Sequence, residues 1–238
     1  MQFIDTHIHL QDYKINSAQI VQNLRDLGFV KAVCVSVREQ DFAVVAKLSE
    51  SAKDLIIPAF GVHPWHLENL SDNWFEILQK YLRQYPQAHI GECGLDRLHG
   101  GAMDKQMQVL REHLRLAKEL NRPLNLHILK AEDVLLSLKN ELPEMMVLHS
   151  FSGSSKFLQE MLKTKAFFSL NPKLRQRRNF VELVQQIPQD RMLVESDAPY
   201  QADFKDIPVL LAQIAQILKL PIENLADRLC DNFVQLCG

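Results

Sequence analysis

FIDTHIHL, residues 3–10, sets a short apolar run against two histidines one residue apart. In a strand, alternate side chains share a face, so His7 and His9, preceded by Asp5, can point together at one object. Two readings are open at this point, a polar strand end or a pair of metal ligands. What comes next decides the architecture. SAQIVQNLRDLG, residues 17–28, has helical periodicity and closes on a glycine, so the opening strand is followed by a helix.

The same unit recurs along the chain. Short β-branched or aliphatic runs stand at FIDTH (3–7), VKAVCVS (30–36), IIPAF (56–60), HIGE (89–92), PLNLH (123–127), MMVLH (145–149), AFFSL (166–170) and RMLVES (191–196). Longer amphipathic stretches lie between them, as in DKQMQVLREHLRLAKEL, where Met107, Leu110, Leu114 and Ala117 share a face. Eight βα repeats predict an α/β fold, a (β/α)8 TIM-type barrel, which needs about 200 residues or more. The 238 residues contain no linker or low-complexity stretch and are expected to form one domain, 1–238.

With 27 basic and 29 acidic residues, the chain lacks the global positive excess of a protein that lives on nucleic acid, so any polyanion contact must be local. Cys34, Cys93, Cys230 and Cys237 form no CxxC pair and sit in apolar segments, as reduced thiols do. No charged leader with an apolar core opens the sequence, and no run approaches the roughly 18 apolar residues of a bilayer span. A cytoplasmic protein without membrane attachment or obligate protein partner is expected.

A barrel places its chemistry at the C-terminal ends of its strands. There the sequence puts His7 and His9 (strand one), His63 (three), Glu92 (four), His127 (five), His149 (six) and Asp197 (eight). Imidazole and carboxylate without thiolate form a hard-to-borderline donor set. Any one of these residues alone reads equally as a structural histidine or a paired acid, and His63, before a proline, either shapes its loop or touches substrate. His66, His89, His99 and His113 are given no metal role. A serine nucleophile beside His149 and Asp197 is disfavoured, because no GxSxG elbow is present.

The stretches FIDTHIHL, GVHPW, HIGECGLD, PLNLHILKA, VLHSFSG and LVESDAPY, with DNFVQLCG at the end, resemble the TatD-type metal-dependent hydrolases in order and approximate spacing. That resemblance implies the metallo-dependent hydrolase barrel and deoxyribonuclease activity. It implies two divalent cations (Zn, Mn or Mg), one held by His7, His9, Glu92 and Asp197 and the other by Glu92, His127 and His149. Two such cations can activate a water and stabilise the attacking and leaving oxygens of a displacement. Glu92 would bridge them, and Asp197 would take the proton of the water.

The chain also departs from the family. An arginine often stands two residues after the strand-five histidine, where this sequence has Leu129 and then Lys130, and Trp65 replaces a histidine after His-Pro. Trp65 reads as a stacking surface or as a loop anchor. The cluster NPKLRQRRN (171–179) carries Lys173, Arg175, Arg177 and Arg178 on the loop after strand seven, where barrels commonly bind phosphate. Its helix starts either at Asn171 or at Asn179. The expected substrate is a phosphodiester of DNA or another phosphate ester, contacted by His63, Trp65, Lys173 and Arg175. An amide or ester hydrolase on the same centre and a non-catalytic metal-binding barrel are the alternatives.

Overall fold

All eight predicted runs form strands in the computed structural model, which describes residues 1–14 and 16–238. They are β1 (Phe3–Ile8), β2 (Phe29–Val35), β3 (Ile56–Phe60), β4 (His89–Asp96), β5 (Leu124–Leu129), β6 (Met146–Leu148), β7 (Phe167–Leu170) and β8 (Met192–Val194). Neighbours pair in parallel, in the order β1 to β8. The crossovers carry α1 (Ser17–Asp26), α2 (Phe42–Ser51), α3 (Trp74–Gln84), α4 (Met103–Leu120), α5 (Glu132–Ser137), α6 (Ser155–Met161) and α7 (Phe180–Gln186), with α8 (Ile207–Leu218) and α9 (Ile222–Cys237) after the last strand. No single helix among the described residues is long and apolar enough to cross a membrane.

Local chemistry sets the element ends. Asn16 caps α1 by accepting the Ala18 N–H at 2.9 Å. Asn121 ends α4 in the left-handed region, φ 50°, a conformation its short amide side chain tolerates. The strand runs are buried on both faces, and Phe42, Phe60, Phe168 and Ile56 are sealed in one continuous core. Each such side chain contributes about 1.5–3 kcal/mol by burial.

Only β3 keeps its predicted bounds, and among the strands that depart from theirs, β4 and β8 do so in ways that shape the mouth of the barrel. β4 runs on to Asp96, with a register shift against β5 between Ile90 and Cys93. Gly91, at φ 126°, permits the shift, since a Cβ there would lie 2.5 Å from the Asn125 carbonyl oxygen. β8 stops early because Ser196 and Asp197 turn toward β1, with Asp197 at φ 51°.

The join between β8 and β1 leans on side chains. The Asp5 carboxylate accepts the Ser196 N–H at 3.0 Å, the Ser196 hydroxyl at 2.6 Å and the His7 N–H at 3.2 Å. Thr6 Oγ1 donates to the Val194 carbonyl at 3.0 Å, and the Asp197 N–H reaches the His7 carbonyl at 2.9 Å. Burial pushes the Asp5 carboxyl up from 3.8 to about 7, outweighing those hydrogen bonds. The contribution of this group to stability is therefore full below about pH 4 and is lost as pH rises through about 7. Asp5→Asn is expected to flatten that decline and to cost about 1 kcal/mol, whereas Asp5→Ala, which strands three buried donors, should cost about 3 kcal/mol in denaturant unfolding. Equal stability of the alanine variant and the wild type would remove the seam role.

Candidate metal centre

Glu92 is 3% exposed and stands at the middle of the mouth. Its N–H donates to the Ser36 carbonyl at 3.0 Å, which fixes the backbone from which the carboxylate projects. The two carboxylate oxygens face different partners. Oε2 lies 3.2 Å from His7 Nε2 and 3.8 Å from His9 Nε2, and His9 Nε2 is in turn 3.3 Å from Asp197 Oδ1. Oε1 lies 2.9 Å from His149 Nε2, 3.2 Å from His127 Nδ1 and 3.4 Å from His63 Nε2.

A further layer orients the rings. His9 Nδ1 donates to the Val35 carbonyl at 3.0 Å, which turns Nε2 inward. Behind His149, Nδ1 is 3.4 Å from Glu195 Oε1, an oxygen that accepts the Ser150 N–H. Behind His127, Nε2 is 3.5 Å from Asp96 Oδ2. His63 differs from these three. Its Nδ1 accepts the Trp65 N–H at 3.2 Å, so the proton of its neutral ring sits on Nε2 and faces Glu92.

Burial penalises every charge in this cluster, yet opposite charges prevail at most positions. Burial alone would raise the Glu92 carboxyl, but His149, His63 and His7 hold it well below the ordinary 4.5. Burial would lower His149, but Glu92 and Glu195 lift it well above 6.5. Asp197, raised by burial, is brought below its ordinary value by the His9 hydrogen bond and the charges of His149 and His7. His63 goes the other way, pushed down by burial to about 4, so it is neutral at pH 7.

These residues fit divalent cations. His7 Nε2 and His9 Nε2 approach to 3.2 Å, and His127 Nδ1 and His149 Nε2 to 3.1 Å. Converging imidazole lone pairs repel unless a proton or a cation lies between them. The sets His7, His9, Asp197 and His63, Glu92, His127 each bring their donor atoms within 4.8 Å of one another, as do His7, His149, Glu195. Imidazole nitrogen with carboxylate oxygen suits borderline divalent ions.

The structure thus brings together His7, His9, His63, Glu92, His127, His149 and Asp197. Trp65 is both anchored and open: its indole N–H donates to Asp96 Oδ2 at 2.5 Å, and 52% of the residue is exposed. The basic cluster divides. Asn171 caps a short 3-10 turn, Pro172–Gln176, and α7 begins separately at Phe180, so each predicted helix start marks an element. Lys173 is exposed, and Arg175 donates to Gln213 Oε1 on α8 at 2.7 Å. It is Arg177 that, with Lys130, lines the cavity of about 40 Å³ beside His149.

Asp96 and Glu195 were missed from sequence. Glu92, Gly94 and Asp96 alternate along β4, and that period was the available signal. Of the remaining histidines, His113 is tied to Val62 and Val109, and His89 sits with Asn125 and Cys237.

The family described as TatD related DNase matches residues 4–238. Deoxyribonuclease TATDN3 of Homo sapiens is 27% identical over 259 residues, covering 98% of this chain and 93% of that protein. The 3′-5′ ssDNA/RNA exonuclease TatD of Erwinia tasmaniensis is 28% identical over 189 residues, 76% of this chain and 73% of that protein. The crystal structure of YjjV, a TatD homolog from Escherichia coli K12, matches with a TM-score of 0.88 at 27% identity, over 98% of this chain and 97% of the other.

Proposed function

The chain belongs to the TatD related DNase family of hydrolases, and from that membership we propose that it cleaves phosphodiester bonds of DNA with two divalent cations at the Glu92 centre. The observation that carries the reading is the divided carboxylate of Glu92, one oxygen toward His7 and His9, the other toward His127 and His149. His7, His9, Glu92 and Asp197 would hold one cation, and Glu92, His127 and His149 the second. When bound, the cations supply Lewis acidity toward phosphoryl oxygens and ease the deprotonation of water.

The residues of the chain do the rest. Asp197, ionised at neutral pH, accepts the proton of the attacking water. His63, neutral and protonated on Nε2, donates a hydrogen bond that it can pass from Glu92 to a phosphoryl oxygen. Lys130 and Arg177 beside His149 receive the neighbouring phosphate of the strand, in place of the family's arginine. Lys173 and Arg175, further out, act as secondary cations.

The test is a parallel assay of the metal-loaded protein on a small chromogenic phosphodiester, an amide and a lactone. Cation-dependent phosphodiester turnover is expected. Amide or lactone turnover without it would move the protein to another class of hydrolase. For the cations, Lys130→Ala and Arg177→Ala should each reduce the slope of log K against log salt for a single-stranded oligonucleotide by about 0.7, the value of one released counterion. Fluorescence anisotropy over a salt series measures it, and unchanged slopes would leave both residues as ordinary surface charge.

A further inference from the structure

Two large aromatic residues at the mouth are exposed and yet tethered. Trp65 (52% exposed) follows β3, and Tyr200 (61% exposed) follows β8, so they rise from separate walls. The Trp65 indole N–H is fixed on Asp96, and the Tyr200 hydroxyl donates to Asp12 Oδ2 at 3.0 Å. Each ring plane lies steeply across that of a histidine of the centre: Trp65 and His63 at 5.0 Å between centroids and 87°, Tyr200 and His9 at 5.2 Å and 76°. Those histidines approach opposite oxygens of Glu92. Each aromatic is therefore one side chain removed from the reacting centre, on a different flank.

An untethered aromatic side chain exposed to this degree would sample several rotamers. Hydrogen bonds at the polar ends hold these two and leave ring surface facing solvent, which is what a flat apolar ligand requires. A nucleic acid strand with one phosphate over Glu92 carries its neighbouring bases toward the two flanks.

We propose that Trp65 and Tyr200 are stacking platforms for the bases on the two sides of the scissile phosphate. The inference rests on the phosphodiesterase reading and adds the residues that grip the bases. Stacking on a ring face needs an unpaired base but not a particular one. The platforms would therefore admit an unstacked strand of any sequence and leave a paired one without its grip.

The chain has two tryptophans, so Trp74→Phe makes Trp65 the sole indole reporter. Titration of that metal-loaded protein with a cleavage-resistant phosphorothioate oligothymidylate should quench Trp65 emission. Trp65→Ala and Tyr200→Ala, followed by anisotropy, should each raise Kd about tenfold. Trp65→Phe and Tyr200→Phe keep a ring without its tether and should stay within about threefold. An abasic strand of the same length, with phosphates but no bases, should bind the wild type and the alanine variants alike. Unchanged Kd in the alanine variants, or an equal loss on the abasic strand, overturns the platforms, as does a bound complex with unquenched Trp65. Wild-type turnover of a small phosphodiester separates the two failures, because it upholds the phosphodiesterase reading even when the platforms fall.

Discussion

Glu92→Gln is expected to retain the fold, lose both cations on dialysis and turn over substrate about 10⁴-fold more slowly. Glutamine keeps the volume of the buried side chain but offers one oxygen, without charge, where Glu92 offers two. Both histidine sets lose their shared partner at once. His149→Ala should remove a single cation equivalent, because His7, His9 and Asp197 stay in place around Oε2. Elemental analysis beside circular dichroism distinguishes these outcomes. Glu92→Gln protein that retained two equivalents would contradict the bridging role.

Asp197→Asn should show the opposite division, with cation content largely kept and turnover reduced about 10²- to 10⁴-fold. The amide oxygen still coordinates but no longer accepts a proton at neutral pH. The backbone permits the exchange, since Asn adopts the left-handed conformation of residue 197 as readily as Asp. The acid limb of the pH–rate profile, which reports an ionising base, should flatten in the variant. Turnover near that of the wild type would exclude Asp197 as the proton acceptor.

The barrel was legible because its strands are buried on both faces and read as compact apolar runs, distinct from the helical period between them. The residues that gather around Glu92 were legible as a group because barrel geometry makes strand ends converge, so residues as distant as His7 and Asp197 could be placed together before any contact was known. What escaped depends on backbone details that a strand pattern does not carry. The shift at Gly91 lets β4 run four residues past Glu92 and delivers Asp96 behind His127. Glu195 reads as strand interior until the turn at Ser196 leaves its carboxylate behind His149. Lys130, at φ 53°, and Arg177 line one cavity that no linear spacing announces.

The seam through Asp5 and Ser196 also orders events in time. As the chain leaves the ribosome, β1 is made first and waits, with one flank unpaired, until nearly two hundred residues have followed it. His7 and His9 exist from the start, but the oxygen of Asp197 reaches His9 only when the last strand meets the first. Long-range closure of this kind is slow, because loop entropy must be overcome before the contact forms. Closure of the site therefore arrives with the final strand, and a chain cut short before Ser196 never places the Asp197 carboxylate beside His9.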